Sequence, residues 1–216
     1  MIFIHGWSFS SKIWEGLEGT KLDLPFHGEN VKFSHTQSIL GSFVDQIGKD
    51  IDTPSTVVGW SLGATVVVLL ALKHPQKVKK LVLVGFSPKF RDADLGHEPK
   101  RVKAFMLSLR KNFPQTVYNF RKTAVGSTFN NIPIPEEKGG YQILKEYADL
   151  DLTNQLKNIE AETVIIHGEK DSIVNPKAAY FTHSQVKNSK LFMFNTHHAP
   201  FLQSREEFVN LLKKEG

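Results

Sequence analysis

Residues 56–73 read TVVGWSLGATVVVLLALK, and this stretch decides the fold. Residues 56–60 form an apolar run typical of a buried strand, and residues 62–73 form an apolar helix that ends before His74-Pro75, because proline cannot continue it. Between strand and helix lies Gly59-Trp60-Ser61-Leu62-Gly63. The glycines two positions to either side allow a sharp turn that exposes the Ser61 hydroxyl at the end of the strand.

Strand and helix patterns alternate on both sides of this turn. Strands are predicted at 1–5, 21–24, 80–86, 163–167 and 190–194, and amphipathic helices at 37–49 and 204–214. Continuous apolar strands that alternate with helices indicate an α/β fold, with a mostly parallel sheet covered on both faces. Residues 89–151 show helical periodicity alone. We therefore expect one domain, with a core of residues 1–88 and 152–216 and an inserted helical cap at about 89–151.

Composition excludes several classes of protein. The 216 residues are 40% hydrophobic and 23% charged, which suits a globular domain, and no apolar run approaches the roughly 18–20 residues of a membrane span. The absence of cysteine excludes disulfides and thiolate chemistry, and favours the cytoplasm. A formal net charge of +5 favours an acidic partner only weakly. We expect no metal, cofactor, nucleic acid or membrane, and a monomer by default.

A serine nucleophile needs a base and a carboxylate that orients the base. In the chain order serine, acid, histidine, the candidates are Asp171 after the strand at 163–167, with Glu169 as its rival, and either His197 or His198 after the last strand. Because the carboxyl ends of parallel strands share one edge of the sheet, these side chains are expected beside Ser61. The sequence therefore predicts a serine hydrolase that cleaves an ester.

The oxygen of the tetrahedral intermediate needs hydrogen-bond donors, each worth about 3 kcal/mol. The backbone N–H of Leu62 follows the nucleophile, and the loop after the first strand offers the N–H of Trp7. An aromatic residue at such a position can simply fill the core. We nevertheless predict that Trp7 and Trp60 line the mouth of the acyl pocket.

These residues resemble the bacterial pimeloyl-[acyl-carrier protein] methyl ester esterases of biotin synthesis, which have the α/β-hydrolase fold. The resemblance spans nearly the whole chain and rests on four segments: HGW at 5–7, GWSLG at 59–63, GGYQILK at 139–145 and HAPF at 198–201. It implies that His198 is the base, that Trp7 and Leu62 form the oxyanion hole, and that Phe120 lines the substrate pocket. Trp60 and Phe86 would line the route of the seven-carbon acyl chain.

The chain departs from the family pattern in two ways. The family has an antiparallel hairpin before the strand that begins here at Met1, so a sheet of about six strands is expected. Gln115 and Asn119 occupy positions where the family has arginines that hold the carrier protein. Residues 100–122 still contain seven basic residues and no acidic one. We therefore predict that an acidic acyl-carrier protein docks on Arg110, Lys111, Arg121 and Lys122.

Two other functions remain open from the sequence. A short-chain carboxylesterase or thioesterase would carry the same triad, because the packing of the cap sets the length of the pocket. A non-catalytic binding protein on a hydrolase scaffold is the other alternative, and the presence of Ser61, Asp171 and His198 together argues against it.

Overall fold

A computed structural model describes residues 1–34 and 38–215 of the chain. Its strands are β1 (Ile2–Ile4), β2 (Thr20–Leu22), β3 (Ser55–Trp60), β4 (Val78–Val84), β5 (Glu162–Gly168) and β6 (Ser189–Phe194). They form one sheet in the order β2-β1-β3-β4-β5-β6, and every neighbouring pair is parallel. The predicted parallel sheet of about six strands is confirmed.

The helices are α1 (Ile39–Asp50), α2 (Leu62–Lys73), α3 (Pro99–Lys111), α4 (Phe113–Val125), α5 (Glu137–Asp149), α6 (Lys177–Gln185), α7 (Pro200–Gln203) and α8 (Arg205–Glu215). Helix α1 was predicted at 37–49, and Gln37 lies outside the described residues. Three helices, α3 to α5, lie between β4 and β5 within residues 89–151, which we call the cap segment. Among the described residues, no helix is both long and apolar enough to cross a membrane.

Alternate residues of the central strands fill the two faces of the sheet. Val57, Leu81 and Ile165 belong to the larger core, together with buried residues of α1, α2 and the cap segment. Their chain neighbours Val58, Val82 and Ile166 belong to a second core with the aromatic residues Trp14, Trp60, Phe201 and Phe208. The period of two is that of a β-strand, and each fully buried large apolar side chain contributes about 1.5–3 kcal/mol.

Helix α2 approaches the sheet so closely that one position at its start, Gly63, and one position in β3, Gly59, must be glycine. A Cβ atom on Gly63 would lie 2.3 Å from the carbonyl oxygen of Ile4, and one on Gly59 would lie 2.3 Å from the carbonyl oxygen of Gly63. All of these neighbours are backbone atoms, which cannot rotate away. The pair therefore fixes the start of α2 against β1 and β3.

Polar contacts tie the cap segment to the core. The carboxylate of Glu146 in α5 accepts hydrogen bonds from the backbone N–H groups of Ile39 (2.8 Å) and Leu40 (3.2 Å) at the start of α1. A negative charge at this end of α1 also complements the helix dipole. The indole N–H of Trp7 donates to the carbonyl oxygen of Gly140 at 2.8 Å. The cap is thus anchored both at α1 and at the loop after β1.

We expect Gly59→Ala to destabilise the protein by about 3 kcal/mol or more, because its new methyl group meets backbone on several sides. Gly126→Ala is the matched control: Gly126 has a φ of 76° but no atom within 4 Å of the added Cβ, so only the backbone penalty of about 1–2 kcal/mol applies. Urea denaturation of both variants measures the difference. Equal losses would contradict the close packing at Gly59.

Candidate active site

Ser61 occupies the turn between β3 and α2 with a strained backbone, at φ 55° and ψ −119°. Left-handed φ values cost a residue other than glycine roughly 1–3 kcal/mol, so the surroundings must hold the turn in place. The Ser61 N–H donates to the carbonyl oxygen of Val84 in β4 at 2.8 Å, and the Ser61 carbonyl accepts from the N–H of Ala64 at 2.9 Å. The side chain consequently stands at the carboxyl edge of the sheet, where it lines a cavity.

Asp171 and His198 meet at the same edge of the sheet. The Nδ1 atom of His198 lies 2.7 Å from Asp171 Oδ2, and both residues are buried. Asp171 Oδ1 accepts hydrogen bonds from the N–H groups of Ile173 (2.8 Å) and Val174 (2.9 Å). The Nδ1–H of His198 donates this hydrogen bond to the carboxylate, which leaves Nε2 as the basic nitrogen of the imidazole. Nε2 has no hydrogen-bond partner among the described residues.

The charge state of Asp171 follows from these contacts. Burial by itself would raise the pKa of this carboxyl, but the charge of His198 and the hydrogen bonds from His167 and His198 hold the pKa well below its usual range. Asp171 is therefore ionised at every working pH. An ionised partner fixes the imidazole tautomer and stabilises the imidazolium that forms when His198 takes a proton.

The rival candidates from the sequence lie elsewhere. His197 is exposed, and its Nδ1 lies 3.0 Å from the carbonyl oxygen of Lys170. Glu169 is also exposed. Only Asp171 and His198, of the four residues considered, are hydrogen-bonded to each other in the described part of the chain.

The two residues proposed as oxyanion donors line the same cavity as Ser61. Leu62 is the first residue of α2, so its N–H has no acceptor within the helix. The Trp7 N–H likewise has no acceptor in residues 1–34 and 38–215. Two free amide groups beside a serine at a helix start can stabilise an oxyanion.

The cavity measures about 520 Å³ and lies between the sheet edge and the cap segment. Its apolar wall includes Trp7, Phe90, Phe105 and Phe120. The Trp7 ring packs edge-on against Phe105 and Phe120, with centroids 5.7 and 5.2 Å apart. The predicted pocket residue Phe120 thus lines the cavity. A mostly apolar chamber of this size lies within the usual range of small-molecule pockets.

Trp60 and Phe86 are not among the residues that line this cavity, contrary to the prediction from the sequence. The Trp60 side chain follows Val58 onto the opposite face of the sheet, where it packs 5.0 Å from Phe201. Its indole N–H donates to the carbonyl oxygen of His198 at 2.8 Å. Trp60 therefore holds the backbone of His198 from the opposite face of the sheet. Phe86 is buried in the larger core.

The four predicted docking residues do not share one surface. Arg110, Lys111 and Lys122 are exposed, whereas Arg121 is fully buried, with 0% of its surface accessible. The assignment of Arg121 to a docking surface was wrong. Its guanidinium donates hydrogen bonds to backbone carbonyl groups inside the protein, including that of Ser8 (3.0 Å from Nε) and that of Ile132 (2.8 Å from Nη1).

The sequence analysis missed two further residues of the site. His167 Nε2 lies 3.2 Å from Asp171 Oδ2, so the acid has a second imidazole partner. Tyr147 lines the cavity, yet its buried hydroxyl has no hydrogen-bond partner among the described residues. Burial and the charge of Asp171 raise the pKa of this phenol, which keeps it a neutral donor. Its spacing from Ile143 and Leu144 on α5 could have indicated a position on the inner face.

Residues 1–34 and 38–215 contain no cluster of three His, Asp or Glu side chains suited to a metal ion.

Comparison with known proteins agrees with this geometry. Residues 1–204 match the family model described as the alpha/beta hydrolase fold, and the chain belongs to that family. It is 28% identical to a pimeloyl-[acyl-carrier protein] methyl ester esterase from Nitrosospira multiformis, with 97% of this chain and 91% of the relative covered. For the protein of the same name from Nitrosomonas europaea, the identity is 29% and the coverages are 97% and 92%.

Solved structures show the same fold. An esterase from Exiguobacterium antarcticum superposes with a TM-score of 0.85 at 21% identity, covering 99% of this chain and 91% of that one. A bromoperoxidase from Bacillus anthracis gives a TM-score of 0.82 at 19% identity, covering 98% and 89%. At these identities the similarity establishes the fold, and the chemistry has to be argued from the site.

The two adjacent histidines provide a matched test of the site. We expect His198→Ala to lower kcat for a small ester by about 10⁴-fold or more, because the base is lost, and His197→Ala to retain most of the activity. Both rates are measured on folded protein with a p-nitrophenyl ester. The opposite ranking would mean that His197 is the base.

Proposed function

We propose that this chain is a serine carboxylesterase that hydrolyses the methyl ester of pimeloyl-[acyl-carrier protein]. The observation that carries the proposal is the His198–Asp171 hydrogen bond, with His198 Nε2 left unpaired, at the sheet edge where Ser61 opens into the cavity. The names of the two curated relatives supply the substrate.

Acylation begins when Ser61 Oγ attacks the ester carbonyl and its proton passes to His198 Nε2. Asp171 stabilises the imidazolium, and the N–H groups of Trp7 and Leu62 stabilise the oxyanion. The intermediate collapses as the C–O bond to the methoxy group breaks, and His198 returns the proton to release methanol.

Deacylation repeats these steps with water. His198 takes a proton from water, the hydroxide attacks the acyl-enzyme, and Ser61 leaves with the proton. The product is a free carboxylate at the end of the acyl chain, and the carrier thioester at the other end is spared. Sparing it requires the thioester to stay away from Ser61, which a long apolar chamber favours.

The cavity wall supports an acyl chain with a polar group. Its apolar surface comes from aromatic residues, and Tyr147, whose shielded hydroxyl has no partner among the described residues, belongs to the same wall. We propose that substrate binding brings a substrate oxygen within reach of this hydroxyl. An unsatisfied buried hydroxyl costs about 1–3 kcal/mol, so a substrate that satisfies it binds better than a plain alkyl ester. A short-chain carboxylesterase or thioesterase with the same triad is the alternative, and it would not need this donor.

Carrier-protein docking is supported by a basic groove between α3 and α5. The groove measures about 480 Å³, and its basic residues are Arg91, Lys100, Lys103, Arg110 and Lys145. Arg91 and Lys145 are paired with Asp149, whereas Lys100, Lys103 and Arg110 have no ion-pair partner among the described residues.

The floor of this groove is partly apolar. Leu107 lies in it with 48% of its surface exposed, and the Arg110 guanidinium lies 5.1 Å from the ring centroid of Tyr141. Free cations around an exposed leucine complement an acidic surface that carries apolar residues of its own. We propose that the groove, with Lys111 and Lys122 nearby in sequence, receives an acidic acyl-carrier protein.

A cytoplasmic location remains a prediction, based on the cysteine-free composition.

The activity is tested with purified protein and the methyl ester of pimeloyl-[acyl-carrier protein]. We expect the wild type to release methanol and Ser61→Ala to be slower by about 10⁴-fold or more, because the nucleophile is lost with little effect on packing. Restored growth without biotin, in a bacterium that lacks its own esterase, is the companion measurement.

The alternatives predict other results. A general esterase would hydrolyse p-nitrophenyl butyrate and fail to restore growth. A non-catalytic protein would not react with a fluorophosphonate probe.

The docking surface is tested by charge reversal. We expect Lys103→Glu combined with Arg110→Glu and Lys122→Glu to lower kcat/KM for the carrier-bound ester, most strongly at low salt, while a free methyl ester is hydrolysed normally. The control reverses three exposed lysines outside the cap segment and gives the same change in net charge: Lys49, Lys187 and Lys213. Equal effects of the two triple variants would show that net charge alone matters and would contradict a docking surface on the cap segment.

A further inference from the structure

The buried guanidinium of Arg121 joins the loop after β1 to the connection between α4 and α5 in the cap segment. On one side, Nε donates to the carbonyl oxygen of Ser8 at 3.0 Å, and Nη2 donates to the same oxygen. On the other side, Nη1 and Nη2 donate to carbonyl groups of the segment 128–133, including those of Phe129 (3.1 Å), Ile132 (2.8 Å) and Pro133 (2.8 Å). One side chain thus spans two segments that are far apart in sequence.

The charge of Arg121 has no carboxylate partner among the described residues. All of its hydrogen-bond acceptors are neutral carbonyl groups, and the Phe9 ring lies 5.3 Å from the guanidinium carbon. Burial lowers the pKa of Arg121 to about 10, so the group stays charged at neutral pH. Removing a cation from water costs several kcal/mol. An apolar residue could fill this space without that cost, so filling space alone does not account for an arginine here.

Ser8 is held from both sides. Its N–H donates to Nε2 of His27 at 3.1 Å, while its carbonyl is the acceptor for Arg121. His27 Nδ1 in turn lies 2.8 Å from the carbonyl oxygen of Pro25. Burial, with the charge of His5, lowers the pKa of His27 to about 3, so the imidazole stays neutral and remains an acceptor for the Ser8 N–H.

The two hydrogen bonds of Ser8 stabilise an unusual backbone conformation. Ser8 has a φ of 73°, which a serine adopts only at a cost of about 1–3 kcal/mol. The preceding residue is Trp7, which lines the cavity together with Ser61 and whose N–H has no acceptor among the described residues. If Ser8 relaxed to an ordinary conformation, the peptide groups on its N-terminal side would rotate, and the Trp7 N–H would turn with them.

We propose that Arg121 is a positioning residue for the oxyanion hole: by holding the Ser8 carbonyl opposite His27, it keeps the Trp7 N–H directed at the reacting carbonyl. The inference rests on the proposed esterase activity, because an oxyanion forms only there. The guanidinium also adds positive charge next to the residue that donates. The Arg121 side chain is hydrogen-bonded both to the loop after β1 and to the segment 128–133. The oxyanion hole is therefore complete only when this part of the cap segment is packed against the loop.

The proposal predicts that Arg121 variants lose transition-state stabilisation but keep their affinity for the substrate. Ground-state binding depends on the cavity wall, which Arg121 does not line. A donor displaced by about 1 Å costs up to about 10²-fold in rate. Arg121→Met should therefore lower kcat for p-nitrophenyl butyrate by about 10–100-fold and change KM by less than about threefold. Affinity for an alkyl trifluoromethyl ketone, which forms a charged adduct with Ser61, should fall in parallel with kcat/KM.

Two further variants keep the test decisive if Arg121→Met folds poorly. Arg121→Lys retains the charge, but an ammonium group lacks the fork that reaches both segments, so an intermediate loss of kcat is expected. His27→Leu removes the opposite anchor and should give the same kcat-selective loss. The matched control is Arg205→Met: Arg205 is an exposed arginine that donates to the carbonyl oxygen of Glu15, and its loss should leave kcat unchanged.

All rates are expressed per active serine, counted by end-point titration with a fluorophosphonate, and thermal unfolding is followed for each variant. If kcat per active serine stays within about twofold of wild type while only the melting temperature falls, Arg121 is merely structural and the proposal is overturned. A wild type that neither hydrolyses the ester nor reacts with the probe would instead overturn the proposed function, and this inference with it.

Discussion

The approach of α2 to the sheet at Gly59 and Gly63 is the constraint on which the rest of the site depends. Backbone packs on backbone there, so the chain can turn from β3 into α2 only through the strained conformation of Ser61. The same contact places the first N–H of α2 beside the hydroxyl. A packing requirement of the core therefore sets the positions of Ser61, the proposed nucleophile, and of the Leu62 N–H, a proposed oxyanion donor, before any substrate is present.

Topology brings the remaining groups of the proposed site to Ser61. Because all six strands are parallel, the segments after β1, β3, β5 and β6 emerge at one edge, and they carry Trp7, Ser61, Asp171 and His198 in turn. Asp171 and His198 differ in how fully they are hydrogen-bonded. Asp171 is saturated with hydrogen bonds and cannot leave its charged state, while His198 keeps one nitrogen free. A fixed acid beside a free base is the condition for repeated proton transfer.

The sequence predicted what depends on pattern and topology, and it failed where a side chain could point either way. The turn at Ser61 and the parallel sheet follow from glycine spacing and continuous apolar runs. The prediction for Trp60 was wrong: its alternation with Val58 places its side chain on the face opposite α2, although it precedes Ser61 in the chain. Helix α6 was missed because its buried positions are small residues, Ala178, Ala179 and Thr182, which give little apolar periodicity. A run of basic residues cannot distinguish Arg121 from Lys122.

Positive charges in the cap segment fall into two groups, exposed residues of the outer groove and the buried Arg121. Helix α3 turns Val102 and Phe105 toward the cavity and Lys103, Leu107 and Arg110 toward the outer groove, since residues three or four apart share a helix face. Charges on the outer face are in water, so in the proposed docking they would act on association, over distances that salt can screen. Arg121 on α4 is buried and acts on backbone geometry, which salt does not reach. Ionic strength should therefore separate the two: the contribution of the groove to kcat/KM fades as salt is added, whereas any contribution of Arg121 to kcat persists.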